Sequence, residues 1–70
     1  MAELPGAAVK RIIVSHGGGM RISGSALAAA VQAAEDYVAR LARAASESAQ
    51  DNKRKTIMDS DISQARQQAG

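Results

Sequence analysis

Apolar residues recur at helical spacing in three stretches of the chain. In the first stretch, Val9, Ile12 and Ile13 have the i, i+3, i+4 spacing of one helix face. Pro5 precedes them and suits the first position of a helix, where its missing N–H group is not needed. Three glycines, Gly17–Gly19, end the pattern, since glycine readily takes the left-handed conformation that follows a helix. The pattern predicts a short first helix that opens at Pro5.

The second stretch contains no glycine or proline from Ser25 to about Gln50 and is rich in alanine, the best helix former. Ser23 offers its hydroxyl as the N-cap of this long helix. A heptad-like seam of apolar and small residues runs along it: Leu27, Val31, Ala34, Val38, Leu41, Ala45 and Ser48. About 28 helical residues span roughly 42 Å, whereas a compact globule of this length is roughly 28 Å across. We therefore expect a dimer in which two long helices cross and cover each other's seam.

The third stretch follows a polar, basic break at Asp51–Lys55 and a segment, Thr56–Met58, that can extend. Asp59 and Ser60 are both competent N-caps, and Asp61 suits the positive end of the helix dipole. The pattern predicts an all-α fold of short, long and short helices.

Composition limits how such a chain can be stabilised. It is 46% hydrophobic but only 1% aromatic, and it has no cysteine, so disulfides are excluded. A chain this small buries only about 60% of its unfolded surface. One histidine and no acidic cluster at ligand spacing argue against a structural metal, and we expect no cofactor. We expect one domain, residues 1–70, that gains its stability by oligomerisation.

Charge and motifs narrow the function. Nine basic against seven acidic residues give a formal charge of +2, which permits a polyanionic partner without requiring one. No apolar run approaches the roughly 20 residues of a membrane span, and a signal-peptide pattern is missing, so we expect a cytoplasmic protein with no membrane partner. Ser15 and His16 are adjacent but lack an orienting carboxylate, and no Walker lysine follows Gly17–Gly19. We expect neither an enzyme nor a small-molecule substrate.

Several motifs together resemble the archaeal-type histones, over about residues 3 to 66. They are Glu3-Leu4-Pro5 with Arg11-Ile12-Ile13, Arg21-Ile22-Ser23, and Arg54-Lys55-Thr56-Ile57 with Asp61-Ile62. The resemblance implies the histone fold and a handshake dimer, in which each first loop lies beside the partner's second loop. It also implies that Met20–Ile22 pairs with Thr56–Met58 of the partner as a short parallel strand.

The resemblance implies roles for individual residues. Arg11 and Thr56 would contact phosphates, as would Lys55, and Arg21 would enter the minor groove of DNA. The basic turn adds Lys53 as a further candidate. Arg54 and Asp61 would form an internal ion pair that holds the second loop against the last helix. The candidate dimer interface comprises Leu27, Val31, Ala34, Tyr37, Val38 and Leu41.

The chain departs from the family pattern in both loops and in the first helix. It has one residue more than usual between Ile13 and Arg21, which can change where Arg21 is aimed. Val14 and Met58 stand where the family commonly carries DNA-facing lysines. Both losses predict a lower affinity for DNA.

A further departure concerns assembly. Asp51 stands where archaeal histones often have a histidine that pairs with an aspartate across a dimer–dimer contact, and that aspartate would be Asp61. Two carboxylates repel, so we do not expect stacking into tetramers or filaments by the usual contact. We expect a dimer, or an oligomer built through some other face.

The leading hypothesis is therefore a homodimeric, nucleoid-associated protein that binds, bends and compacts double-stranded DNA without sequence preference. The alternative is a histone-fold subunit that heterodimerises with a partner protein in a transcription-related complex, which the low charge and missing lysines favour. A helical dimer with no DNA role is the third hypothesis.

Overall fold

The computed structural model describes residues 4–69, which form three α-helices with no strand among them. Helix α1 spans Gly6–His16, α2 spans Gly24–Asp51 and α3 spans Asp59–Ala69. The first loop covers residues 17–23 and the second loop residues 52–58. The predicted all-α order of short, long and short helices is confirmed.

Helix α1 starts one residue later than expected. Pro5 is its N-cap, with φ −65° and ψ 119°, and the Pro5 carbonyl accepts the N–H of Val9 at 3.2 Å. That extended ψ places Pro5 outside the helix, so the prediction that Pro5 opens it as the first helical residue is wrong. At the other end, the N–H of Gly17 donates to the carbonyl of Ile13 at 2.8 Å, and the chain then turns through Gly18 at φ 67°. The glycine stop is confirmed.

Helix α2 begins where the sequence indicates. The Ser23 hydroxyl accepts the N–H of Ala26 at 3.1 Å, which is the N-cap hydrogen bond. The helix then runs for 28 residues without interruption, as expected of an alanine-rich stretch without proline.

The N-terminus of helix α3 is capped by a side chain from its own first turn. Its first residue is Asp59, so Met58 occupies the N-cap position. The side chain of Asp61 reaches back to accept the Met58 N–H at 2.8 Å, which is one half of a capping box. The expectation that Asp59 or Ser60 caps this helix is therefore wrong, because Asp61 fixes the start of the helix at an earlier residue.

The chain divides into two compact units, and the boundary between Glu35 and Asp36 falls inside α2. In the first unit, the N–H of Leu4 donates to Glu35 Oε2 at 2.8 Å, which ties the entry of α1 to α2. A Cβ at Gly6 would lie 4.0 Å from Leu27 Cδ2, so the start of α1 contacts α2. Val31 is buried, with 5% of its surface exposed.

The second unit is built on small residues. Ala45 and Ala49 of α2 and Ala65 of α3 are buried, and side chains of this size let two helices approach closely. In contrast, the larger apolar side chains of the described residues that stay exposed include Ile12, Met20, Val38, Ile57, Met58 and Ile62. Several of the bulky apolar side chains of the single chain are therefore exposed to water.

Candidate nucleic-acid interface

The first loop presents Arg21 between two fixed points. On one side the chain leaves α1 through the glycine turn, and on the other Ser23 caps α2. Ile22 is half-buried, whereas Arg21 is exposed. Arg21 therefore lies three residues before the start of α2, whose N-terminus carries the positive end of the helix dipole.

The second loop begins with a Schellman motif at the end of α2. The N–H of Lys53 donates to Gln50 O at 2.9 Å, and the N–H of Arg54 donates to Ala49 O at 2.9 Å. Lys53 takes the left-handed position of this motif, with φ 59°, and is the one non-glycine residue at positive φ in the described part of the chain. The backbone at the start of the loop is thus fixed by the helix that precedes it.

Arg54 and Asp61 form the ion pair of this loop. Arg54 donates from both terminal nitrogens, to Oδ2 at 2.6 Å and to Oδ1 at 2.8 Å. Arg54 also donates to the carbonyl of Thr56 at 3.1 Å. Because its guanidinium group is engaged in this way, Arg54 shapes the loop.

Asp61 is 1% exposed, and its carboxylate holds the second loop in place through hydrogen bonds. Besides Arg54, it accepts the Met58 N–H at 2.8 Å and the Ser48 hydroxyl at 2.7 Å. The hydrogen bonds from Arg54, then those from Met58 and Ser48, hold the pKa of this carboxyl well below its usual range, against the opposing effect of burial. Asp61 therefore stays ionised and joins α2, the second loop and α3.

The remaining predicted contact residues are exposed. Lys53, Lys55 and Thr56 lie in the second loop, and Arg11 and Arg21 lie in the first unit. Their contact with DNA stays a prediction, but each side chain is accessible to a large polyanion.

Lys10 is adjacent to Arg11 and is the alternative to it as the residue of α1 that faces DNA. Lys10 and Arg11 are exposed, and together with the half-buried Val14 they line an open depression on α1. Lys10 and Val14 are four residues apart and therefore lie on the same side of the helix.

Acidic residues are segregated from these cations. The segment from residue 4 to residue 34 contains no Asp or Glu, and neither does the second loop. The acidic residues among those described lie on α2 and α3: Glu35, Asp36, Glu47, Asp51, Asp59 and Asp61. A modest net charge is thus concentrated in α1 and the two loops.

Ser15 and His16 act on the end of α1. The Ser15 hydroxyl donates to Ile12 O at 2.9 Å, and His16 Nδ1 lies 2.9 Å from the same carbonyl. Both side chains therefore engage a carbonyl of the last turn of the helix, which such groups commonly satisfy.

The candidate dimer seam is only partly covered within the protomer. Leu27, Ala34, Tyr37 and Leu41 are half-buried, and Val38 is 51% exposed. Val31 differs, because its own chain already buries it and leaves little surface for a partner. The assignment of these residues to a dimer interface stays a prediction.

The surface of α2 and α3 that we predict not to form the dimer–dimer contact is polar. Glu47, Ser48 and Asp51 of α2 and Gln64 and Gln68 of α3 line a cavity of about 140 Å³ together with Ala44. Asp61 lies behind this surface and already accepts hydrogen bonds from three residues.

Residues 4–69 contain neither a helix suited to span a membrane nor a cluster of metal ligands. No helix there combines the length and the apolar character needed to cross a membrane. No group of three or more potential metal ligands comes together in the same residues.

Comparison with known families identifies the fold. The family model described as histone-like transcription factor (CBF/NF-Y) and archaeal histone matches residues 2–65. The chain therefore belongs to this family, and its three helices form the histone fold. Members of the family bind DNA and form dimers. Searches of curated proteins and of solved structures return no match.

Proposed function

We propose that this protein is a homodimer that binds double-stranded DNA without sequence preference, and that it bends and compacts DNA in the nucleoid. The observation that carries the proposal is the segregation of charge: exposed cations occupy α1 and both loops, and the acidic residues lie on α2 and α3. Such a distribution attracts phosphates to one set of elements even at a net charge of +2.

The side chains suit the DNA backbone better than the base edges. Lys53, Lys55 and the hydroxyl of Thr56 can contact phosphates, and Arg21 can enter a narrow minor groove. Asn52 is the one asparagine or glutamine in the two loops, and its side-chain amide donates to Ser48 O instead of being free for a bidentate contact with adenine. Binding of this kind depends on the charge and deformability of the duplex.

The dimer is proposed from the exposed apolar surface. Val38 on α2, Met20 and Ile22 in the first loop, and Ile57 in the second loop are all at least partly exposed. A second copy of the chain would cover α2 and place each first loop beside the partner's second loop. The two sets of candidate DNA contacts would then form joint surfaces.

Assembly beyond the dimer through the polar face of α2 and α3 is not expected. Asp61 already accepts hydrogen bonds from Arg54, Ser48 and Met58. Across a two-fold contact, Asp51 and Glu47 would bring like charges together, which is unfavourable.

The proposal is tested by titrating the protein with a short duplex of mixed sequence at several salt concentrations. With about six phosphate contacts per dimer, the slope of log K against log salt is about −5. The variant Arg21→Ala with Lys55→Ala removes four of these charges per dimer, so the slope should fall to about −2. The double substitution Arg43→Ala with Arg66→Ala is the matched control, since it removes the same charge from exposed positions on α2 and α3.

The outcomes separate the hypotheses. An absence of duplex binding at low salt contradicts a DNA role, and equal losses in the two double variants contradict the loop assignment. Mass measurement of the isolated chain tests the homodimer. A monomer or an unfolded chain that folds only with a different protein would favour the heterodimeric subunit instead.

A further inference from the structure

Lys53 occupies a backbone position that does not suit it. In a Schellman motif the left-handed residue is usually glycine, because any Cβ is crowded by the neighbouring carbonyl in this conformation. Lys53 has φ 59°, and the hydrogen bonds from its own N–H and from the N–H of Arg54 hold it there.

The neighbouring residues do not relieve this strain. Asn52, a residue type that tolerates the left-handed region well, lies one position too early, and its amide donates to Ser48 O at 2.9 Å instead. On the other side, Arg54 is held by Asp61 and cannot rearrange independently. The conformation of Lys53 is therefore imposed by the helix end and by the ion pair that follows it.

The ammonium group of Lys53 offers a reason for keeping a lysine here. Its side chain is exposed, and of the three consecutive cations in this loop the middle one, Arg54, is neutralised by Asp61. Lys53 and Lys55 thus supply the charge that the loop can offer to a phosphate.

We propose that Lys53 is a strained DNA-contact residue, retained in the left-handed conformation because its charge strengthens phosphate binding at the expense of fold stability. The inference rests on the proposed DNA-binding function and adds to it a position where stability and affinity oppose each other. Strained backbone of this kind is found at functional sites. Glycine at this position would stabilise the fold and weaken DNA binding.

Three variants of the full chain test this: Lys53→Gly removes both charge and strain, Lys53→Ala removes the charge alone, and Lys55→Gly is the control. Thermal midpoints and duplex affinity against salt are measured for each. Lys53→Gly should melt a few degrees above the wild type and above Lys53→Ala. Both Lys53 variants should lose roughly tenfold or more in affinity near 0.1 M salt, with a salt slope shallower by about 1.8 per dimer.

Lys55→Gly controls for the loss of a loop cation without relief of strain, so it should lose affinity and gain no stability. A Lys53→Gly affinity within twofold of the wild type would overturn the proposed contact, while the DNA-binding function would stand. A thermal midpoint for Lys53→Gly no higher than that of Lys53→Ala would contradict the proposed backbone strain at Lys53. A wild type that fails to bind duplex DNA would remove the proposed function itself.

Discussion

Asp61 shows how one side chain can determine the conformation of a loop. Its buried carboxylate accepts hydrogen bonds from both terminal nitrogens of Arg54, from the Ser48 hydroxyl and from the backbone of Met58. Removing the charge would leave Arg54 without its partner and the N-cap N–H of α3 poorly satisfied. The second loop, with its candidate phosphate contacts, would then lose its fixed shape.

The first prediction concerns acid stability. In the folded protein the pKa of Asp61 lies well below its usual range, mainly because of the hydrogen bonds from Arg54. As pH falls through the ordinary range of an unfolded aspartate, about 3.9, the unfolded chain takes up a proton that the folded one does not. The stabilisation is therefore complete above about pH 5 and is lost progressively at lower pH.

Asp61→Asn should unfold at a lower temperature than the wild type at pH 7 and show a flatter decline between pH 5 and pH 2. Thermal unfolding followed by circular dichroism across this range measures both. Asp51→Asn, which alters an exposed carboxylate on α2, should keep the wild-type decline. A wild-type pH profile in Asp61→Asn would contradict the role of this carboxylate.

Local sequence explains part of this site. The pairing of Arg54 with Asp61 is suggested by the resemblance to archaeal histones, and the structure places the two side chains in contact. The contribution of Ser48 could not be read in advance, because it lies 13 residues from Asp61 on another helix. The left-handed conformation of Lys53 could not be predicted either, because nothing about a lysine in a polar turn indicates a positive φ.

At the scale of helices, the sequence predicts which elements form better than where they end. The uninterrupted alanine-rich stretch gives α2 to within a residue or so at each end. The predicted starts of α1 and α3 are wrong for two different reasons. Pro5 has an extended ψ angle and so lies outside α1. The Asp61 carboxylate accepts the N–H of Met58 and so makes α3 begin earlier. Helix ends of this kind are decided by local capping geometry, which the spacing of apolar residues does not describe.

The prediction at this scale tests the seam of α2. Val38→Asp places a charge on a half-exposed apolar position of the predicted dimer interface, where burial without a partner is strongly unfavourable. Helical content and dimer mass should both fall, as measured by circular dichroism and by analytical ultracentrifugation. Ala29→Asp is the matched control, since Ala29 is exposed and lies nine residues away, on the opposite side of an ideal helix. Unchanged dimer mass in Val38→Asp would place the interface elsewhere.

At the scale of the whole molecule, the small buried core predicts that folding depends on assembly. Apart from Val31, the buried apolar residues among those described are alanines, while several larger side chains remain in water. Each alanine contributes little buried area, so we expect one chain to gain too little hydrophobic free energy to offset its conformational entropy. Folding and dimerisation should therefore occur in a single transition.

Such a transition depends on protein concentration by mass action. Each tenfold increase stabilises a dimer by about 1.4 kcal/mol. Two chains of 70 residues have an unfolding entropy of roughly 0.3 kcal/mol per kelvin near the midpoint. The thermal midpoint should therefore rise by about 5 °C per tenfold increase in concentration, as followed by circular dichroism from low to high micromolar protein. Two copies joined by a flexible Gly/Ser linker should lose this dependence, because unfolding of the fused chain is unimolecular. A concentration-independent midpoint in the unlinked protein would mean that the protomer folds alone, and that its exposed apolar seam serves some purpose other than holding the fold together.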